Sequence, residues 1–332
     1  YSMEEIRAAL FQMGPTKAPG PDGLPAMFYQ THWDLIQHDI CDAIRSFLSG
    51  EALPEGLCDS IIVLIPKVQN AQHLSKFRPI SLCNVIYKII AKCLANRLKP
   101  HLPDYVHPSQ QAFIEGRRIG SNIIIAQEIT HSFALSSWKN KAIMLKIDLA
   151  KAFDRIEWGF KRALLRKGLH DHFINLIYAC ISTPTFSVII NGQPSHKFRS
   201  SRGIRQGCPM SPYLFVIAIN GLSLALNEAL AAQHLQEISL GPNCPPIHSL
   251  LFADDLLVCG QATIQEATAM AQLIHHFCSI SGQTPNWPKS AILFSSHVSQ
   301  TTMQEIKHVF PISTLDSNFT HVGHPLVLPA KN

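Results

Sequence analysis

The sequence predicts an α+β fold in which buried strands end in acidic residues. Two apolar runs of strand length, 247–252 and 256–259, flank an adjacent pair of acids. The pair, Asp254 and Asp255, is therefore predicted to lie at the tip of a hairpin. A further strand, 142–149, alternates in hydrophobicity and carries a third aspartate at its end. Stretches of helical spacing occupy residues 2–11, 25–48, 84–98, 121–133, 160–181, 212–226 and 265–279.

The first elements surround a rigid loop. Ser2 and Glu5 form a capping pattern ahead of the first helix. Residues 17–23 (Lys-Ala-Pro-Gly-Pro-Asp-Gly) contain Pro-Gly and Asp-Gly pairs, which predict tight turns in an ordered loop. The loop is not a P-loop for phosphate, because no Gly-Lys-Ser/Thr follows it.

A hairpin with two cations comes next. Residues 60–66 form a short apolar strand that leads to Lys67, and a second extended segment begins at Arg78. The pair suits a triphosphate, because lysine acts as a point charge and arginine as a bidentate fork. Either cation alone would more often be an ordinary surface charge.

Glycines mark the later turns. Residues 186–191, then Gly192 and a second strand to Arg199 predict a hairpin that turns at the Asn-Gly pair. Gly203 and Gly207 allow a ligand to approach the backbone closely. Ser211, as a cap, opens the long apolar helix. A last strand is predicted at 291–294, and the residues after it show little periodicity.

Charge is distributed unevenly along the chain. The 332 residues are 46% hydrophobic and 15% charged, which argues against a disordered protein. Residues 1–205 carry a net charge of +9 and residues 206–332 a net charge of −4, and 206–288 contain no Lys or Arg. A basic part suited to a polyanion is thus followed by the part that holds the paired acids.

Composition argues against several other classes. The nine cysteines include no Cys-x-x-Cys pair, so we expect no zinc site and reduced thiols in an intracellular protein. His275, His276 and Cys278 lie in a periodic helix without a second ligand pair. The longest charge-free apolar stretch, 212–226, predicts a buried helix and no membrane span. No secretory signal peptide is visible.

The three aspartates predict a metal site. Adjacent carboxylates at the edge of an apolar sheet raise each other's pKa unless a cation compensates, and their oxygens suit Mg²⁺, or Mn²⁺ as an alternative. An isolated Asp-Asp pair is more often a solvated turn, and a strand-end residue such as Asp148 is often a helix cap. The metal interpretation therefore depends on all three converging.

The motifs together resemble a known family. Their set and order are similar to the reverse transcriptase domain of non-LTR (LINE-type) retrotransposons, most like those of plant genomes, and the resemblance covers nearly the whole chain. The motifs are Lys17-Ala-Pro-Gly-Pro-Asp-Gly23, Ile65-Pro-Lys67 with Arg78-Pro-Ile-Ser81, Phe113-Ile-x-Gly-Arg117, Ile147-Asp-Leu-x-Lys-Ala-Phe-Asp154, Gly203-x-x-Gln-Gly-x-Pro209 and Phe252-Ala-Asp-Asp255.

The resemblance implies a right-hand polymerase fold with fingers and palm, and a thumb that is missing or only begun. The fingers would be 1–138 and 161–202, the palm 139–160 and 203–300, and the start of a thumb 301–332. The implied activity is RNA-directed DNA polymerisation onto a DNA 3′-end. Its partners would be an RNA template, a DNA primer and deoxynucleoside triphosphates, in the nucleus and cytoplasm, with the oligomeric state unknown.

The resemblance also implies roles for individual residues. Asp148 and Asp254 would be the principal ligands of two Mg²⁺ ions, with Asp255 beside them. Lys67 and Arg78 would grip the incoming triphosphate. The remaining assignments are Phe153 as the gate against a ribose 2′-hydroxyl, Gln206 and Gly207 in the loop against the nucleotide, Lys289 as the proton donor to pyrophosphate, and Arg117, Gly203 and Ala253 beside template and primer.

The chain departs from the family pattern near its end. Residues 282–286 (Gly-Gln-Thr-Pro-Asn) replace Gly-Leu-x-Ile/Val-Asn, and His321 stands where an aromatic-Leu-Gly motif usually begins. We therefore expect a fragment that extends primers weakly or not at all. An inactive remnant that only binds nucleic acid is one alternative. Another is a group II intron maturase or an RNA-dependent RNA polymerase, although Ala253 and Phe153 favour deoxynucleotides.

Overall fold

The computed structural model describes residues 1–165, 168–314 and 320–326, the side chains of 161–164 excepted. The helices are α1 Met3–Phe11, α2 Ala26–Thr31, α3 Trp33–Ser49, α4 Val85–Leu98, α5 Leu102–Tyr105, α6 Ile119–Ala134, α7 Ala152–Arg155, α8 Trp158–Leu165, α9 Asp171–Ser182, α10 Ser211–Ala231, α11 Ile264–Ser281 and α12 Gln300–Val309. The strands are β1 Ser60–Pro66, β2 Phe77–Cys83, β3 Ala142–Ile147, β4 Thr185–Ile190, β5 Gln193–Pro194, β6 Phe198–Arg199, β7 Ser249–Phe252, β8 Asp255–Gln261, β9 Ala291–Phe294, β10 Ser313–Thr314, β11 Thr320–His321 and β12 His324–Pro325.

The chain divides into two units. The first comprises Tyr1–His101 and Ile156–Leu214, and the second Leu102–Arg155 and Phe215–Asn332. The sheet of the first unit has the order β2-β1-β4-β5, with β6 beside β4, and that of the second has the order β10-β9-β3-β8-β7. This mixed α/β architecture agrees with the predicted fold class, whereas the fingers, palm and thumb boundaries stay a prediction.

In the first unit, the proline- and glycine-rich loop is anchored on Asn84. A Cβ on Gly20 would lie 2.3 Å from the backbone nitrogen of Asn84, so only glycine fits there. The Asn84 side chain accepts from the Asp22 N–H at 3.2 Å and donates to the carbonyls of Gly56 and Leu57. The loop is therefore ordered, as predicted, because Asn84 hydrogen-bonds both to the loop and to the turn at residues 56–57.

In the second unit, β3 lies between β8 and β9 and is buried along its whole length. Alternate residues of these strands pack with helix α6, and the opposite face receives α11, whose Met270 packs against Gly260 of β8. The cluster on the α6 side comprises Ala126, Ile129, Phe133, Ala142, Met144, Ile238, Leu250, Leu257, Cys259, Ala291, Leu293 and Leu326.

Several predicted elements differ from the structure. The single helix predicted for 25–48 is two helices that meet at His32, and that predicted for 160–181 is α8 and α9, with 166–167 outside the described residues. The stretch with little periodicity contains helix α12, while 315–319 and 327–332 of the predicted thumb start lie outside the described part. Helix α10 runs five residues beyond the predicted end. In the described chain it alone has the length and composition to cross a membrane, and 61% of its apolar window is buried inside the protein.

Candidate active site

Strand pairing brings two of the three aspartates opposite each other. Strands β3 and β8 are antiparallel, and Ile147 pairs with Leu256 at the end of the ladder. One step further along the same register, Asp148 lies opposite Asp255. Opposed residues of an antiparallel pair have Cβ atoms about 4.5–5.5 Å apart, so both carboxylates stand at one edge of the sheet.

Asp254 lies in the turn beside them. Phe252 pairs with Asp255, which leaves Ala253 and Asp254 as a two-residue turn between β7 and β8. Ala253 is buried and has φ +53°. Asp254 is exposed and Asp255 half-buried. The hairpin with the acids at its tip is thus present, although Asp255 already belongs to the second strand.

A buried glutamine supports this turn. Gln110 is fully buried, and its Oε1 accepts from the N–H of Ala253 at 3.1 Å and from that of Ala112 at 3.0 Å. Its neighbour Gln111 donates from the backbone to the Leu251 carbonyl at 2.9 Å, so the segment runs along β7. The sequence shows the Gln-Gln-Ala-Phe segment, but no local pattern assigns Gln110 to the hairpin.

The carboxylates and one cation share an electrostatic environment. Burial raises the pKa of Asp255, Lys146 opposes this rise, and the neighbouring charges of Asp254 and Asp148 add to it. Lys146 is itself buried, two residues before Asp148 on the same face of β3. The neighbouring carboxylates therefore disfavour the charged form of Asp255, as the sequence predicts for adjacent acids.

The donor set fits a hard divalent cation. Among the described residues, no group of three or more His, Cys, Asp or Glu side chains lies in an arrangement that could hold a metal ion. Mg²⁺ does not need such a cage, because it usually keeps several waters and binds one or two carboxylates together with substrate phosphates. Asp148 and Asp255, opposed at a strand end, are ligands of the type and number that such an ion takes from a protein.

Asp148 is held by the segment that precedes β9. Its carboxylate Oδ2 accepts from the Asn286 side-chain amide at 2.9 Å, and its carbonyl accepts from the Asn286 N–H at 2.7 Å. Its own N–H donates to Ser290 Oγ at 3.1 Å. Lys289, the predicted proton donor, lies in this same turn and is exposed.

The two cations of the first unit share a hairpin face. Arg78 pairs with Ile65 across β1 and β2, and the Lys67 N–H donates to the Lys76 carbonyl at 2.8 Å. Because side chains alternate along a strand, Ile65 and Lys67 point the same way. Lys67 and Arg78 are therefore diagonal neighbours, whose Cα atoms lie about 7–8 Å apart. Both are exposed, as a pair that binds an anion requires.

The glycine loop of the first unit packs against β2. The Ser81 N–H donates to the Gln206 carbonyl at 2.7 Å, and a Cβ on Gly207 would lie 2.6 Å from the Ser81 carbonyl oxygen. Gly203 is buried, and its carbonyl accepts from Trp158 Nε1 at 2.7 Å. Gln206 and Gly207 are therefore fixed beside the strand that carries Arg78.

Arg205, which the motif leaves unspecified, is the residue that anchors this loop. It is buried, and its guanidinium lies 3.8 Å from the centre of the Tyr87 ring. It donates to Ser60 Oγ at 2.9 Å and to the carbonyls of Cys58 and Cys180 at 3.1 and 2.7 Å. A cation at this position is visible in the sequence, but its burial is not, because the burial depends on three distant segments, at 58–60, 87 and 180.

Two predicted residues of the second unit have mainly structural contacts. Arg117 donates to the carbonyls of His107 and Gln110 at 2.7 and 2.6 Å, and to two further carbonyls of the same loop. Phe153 is half-buried and stacks on Phe215, with ring centres 4.5 Å apart. Arg117 thus orders the loop that carries Gln110, and its contact with template or primer stays a prediction.

His321, where the family usually has an aromatic residue, is buried in the second unit and hydrogen-bonded to Asn122 of α6. Burial, and then nearby Lys146, lower the pKa of His321 to about 4. Its Nδ1 has no partner among the described residues, so a proton there would have no acceptor.

The burial of His321 predicts that the stability of the folded protein depends on pH. Because the unfolded histidine takes up a proton near pH 6.5 and the folded one only near pH 4, the free energy of unfolding should fall as the pH drops between these values. The fall is at most about 1.4 kcal/mol per pH unit. We expect His321→Phe to remove this component in urea unfolding at pH 7.5 and 5. The exposed His324→Phe is the control, and an unchanged pH dependence in His321→Phe would contradict the prediction.

The comparisons with known proteins identify the class of protein. The profile of the family described as reverse transcriptase (RNA-dependent DNA polymerase) matches residues 65–315. The chain therefore belongs to the reverse transcriptase family.

Its relatives include proteins of mobile elements. The chain is 30% identical to the transposon TX1 uncharacterized 149 kDa protein of Xenopus laevis, over 87% of this chain and 22% of that protein. It is 25% identical to a Pol polyprotein from the type-1 retrotransposable element R2 of Popillia japonica, over 97% and 44%. An uncharacterized mitochondrial protein of Arabidopsis thaliana is 46% identical over 20% of this chain and 55% of its own length. The chain thus spans less than half the length of the first two relatives.

Proposed function

We propose that this chain is the RNA-directed DNA polymerase domain of a non-LTR retrotransposon polyprotein, which extends a DNA 3′-end on an RNA template. The observation that carries the proposal is the register that sets Asp148 opposite Asp255, beside the turn with Asp254, in a chain of the reverse transcriptase family. The Arabidopsis relative supports a plant origin. The free cysteines, eight of nine buried, support an intracellular location.

In this proposal the second unit acts as the palm. Asp148, Asp254 and Asp255 would hold two Mg²⁺ ions, and the chemistry these ions would supply is charge stabilisation at the attacking 3′-oxygen and the leaving pyrophosphate. The aspartates orient the reacting groups from a rigid sheet edge. Lys289, exposed beside Asp148, donates a proton to pyrophosphate.

The first unit, as the fingers, binds the nucleotide. Lys67 and Arg78 neutralise the triphosphate from one face of the hairpin. The fixed loop of Gln206 and Gly207 supports the base pair. The ring of Phe153, which belongs to the second unit, excludes the 2′-hydroxyl. The basic character of residues 1–205 favours contact with the phosphates of template and primer.

The test is single-turnover primer extension with Mg²⁺ at saturating primer–template, on RNA and on DNA templates. We expect extension with deoxynucleotides on RNA, at the low rate that the sequence predicts, which single-turnover conditions make measurable. Binding of nucleic acid without extension would support the inactive remnant, and use of ribonucleotides on an RNA primer would support an RNA polymerase.

Sugar selection gives a more specific prediction. Phe153→Val should lower the preference for deoxynucleotides over ribonucleotides by about tenfold or more, because the smaller side chain leaves room for a 2′-hydroxyl. The ratio of kcat/KM values for the two nucleotides measures it. Phe153→Tyr keeps the ring and its stacking on Phe215, and should discriminate like the parent. If Phe153→Val also discriminates like the parent, Phe153 is only a packing residue.

A further inference from the structure

The turn before β9 grips Asp148 on both its backbone and its side chain. Asn286 makes two hydrogen bonds to Asp148. Its backbone N–H donates to the Asp148 carbonyl, and its side-chain amide donates to Oδ2. Ser290, which is fully buried, accepts from the Asp148 N–H. Three atoms of Asp148 are thus fixed by a segment distant in sequence.

Asn286 is in turn fixed by its own surroundings. Its carbonyl accepts from Ser290 Oγ at 3.0 Å and from the backbone N–H groups of Lys289 and Ser290 at 2.9 and 3.0 Å. The bridge between Leu149 and Pro285 continues the contact on the far side of Asp148. The amide therefore reaches Oδ2 from a preorganised position and not from a mobile loop.

The side-chain donor to the Asp148 carboxylate is an uncharged amide. A lysine or arginine at this position would orient the carboxylate but also neutralise it, whereas an amide donor orients it and leaves its full negative charge. Asn286 itself therefore adds no positive charge beside Asp148. The cations close to these two residues in the chain include Lys146 on β3 and Lys289 in the same turn as Asn286. The amide engages Oδ2, and Oδ1 has no hydrogen-bond partner among the described residues.

We propose that Asn286 is a positioning residue for Asp148, which holds the carboxylate ready to bind a divalent cation together with the Asp254–Asp255 turn. The inference rests on the proposed function, since it assigns a residue to the same site. Partners that orient ligating groups in this way typically contribute 10- to 100-fold in metal affinity.

The test measures metal binding without substrate. Mn²⁺ titration of the whole chain, followed by electron paramagnetic resonance, should show binding by the parent and its loss in Asp148→Ala. Asn286→Ala should weaken the Mn²⁺ Kd by about tenfold or more. Asn286→Leu, which keeps the volume but lacks the donor, should do the same if the alanine variant fails to fold. Asn140→Ala, at an exposed asparagine before β3, is the matched control and should bind like the parent.

A kinetic split separates positioning from general damage. In single-turnover extension, Asn286→Ala should raise the Mg²⁺ concentration at half-saturation about tenfold, while the KM for deoxynucleotide and the Kd for primer–template stay unchanged. Folded Asn286 variants that bind Mn²⁺ like the parent would overturn the inference and leave the proposed function intact. A parent chain that binds no Mn²⁺, or binds it equally without Asp148, would overturn both.

Discussion

Asp148→Asn is expected to lower the rate of nucleotide addition by roughly 10²- to 10⁴-fold, which is about 3–5 kcal/mol of transition-state stabilisation. The substitution keeps the size of the side chain but removes the charge at the point where β3 meets β8. Single-turnover extension at saturating primer–template and nucleotide measures the loss directly.

The control is a second carboxylate of the same unit. Asp104 lies on the short helix α5 and is exposed, so Asp104→Asn should extend primers at the parental rate. Binding of primer–template should be the same in both variants, because neither aspartate is expected to contact the nucleic acid phosphates. An Asp148→Asn protein that extends like the parent would remove Asp148 from the catalytic site.

Gly207→Ala is expected to lower kcat/KM for deoxynucleotide by roughly 10- to 100-fold. Gly207 has φ +116°, which L side chains rarely adopt, and the new Cβ would lie 2.6 Å from the Ser81 carbonyl oxygen. Backbone strain of this kind costs about 1–3 kcal/mol. Relief of the strain moves the loop away from β2, and with it Gln206 from the position proposed to contact the nucleotide.

The dependence of the rate on nucleotide concentration distinguishes the effect of Gly207→Ala from a weakening of metal binding. Gly207→Ala should raise the KM for deoxynucleotide and leave the Mg²⁺ dependence unchanged, the reverse of the pattern expected for Asn286→Ala. Gly159→Ala is the matched control, because no neighbouring atom lies within 4 Å of its Cβ position. An unchanged KM in Gly207→Ala would show that this loop does not touch the nucleotide.

Local sequence patterns predict elements well where one element corresponds to one pattern. The strand predicted at 291–294 has the same bounds in the structure, and so has the Asn-Gly turn that joins β4 to β5. Prediction fails where the same apolar spacing continues across the boundary between two helices. At His32 the apolar spacing is the same on both sides, so one helix is predicted where two occur. Helix α12 was missed because Ile306 is its only buried residue among those described.

The chemistry of the candidate site can be inferred from residue types and their spacing. The three aspartates, the pair Lys67 and Arg78, and the glycine loop were recognised from residue type and spacing, because strand ends and tight turns impose local requirements on the chain. Family membership follows from the same motifs and is confirmed by the match over residues 65–315.

The contacts that hold these groups in place become visible in the folded chain. The register of β3 against β8 sets Asp148 opposite Asp255, and long-range contacts assign Gln110 to the turn and Asn286 to Asp148. The physical reason is that each of these contacts joins segments far apart in the chain. Their pairing depends on the packing of the whole sheet against its helices, which no local pattern of residues specifies.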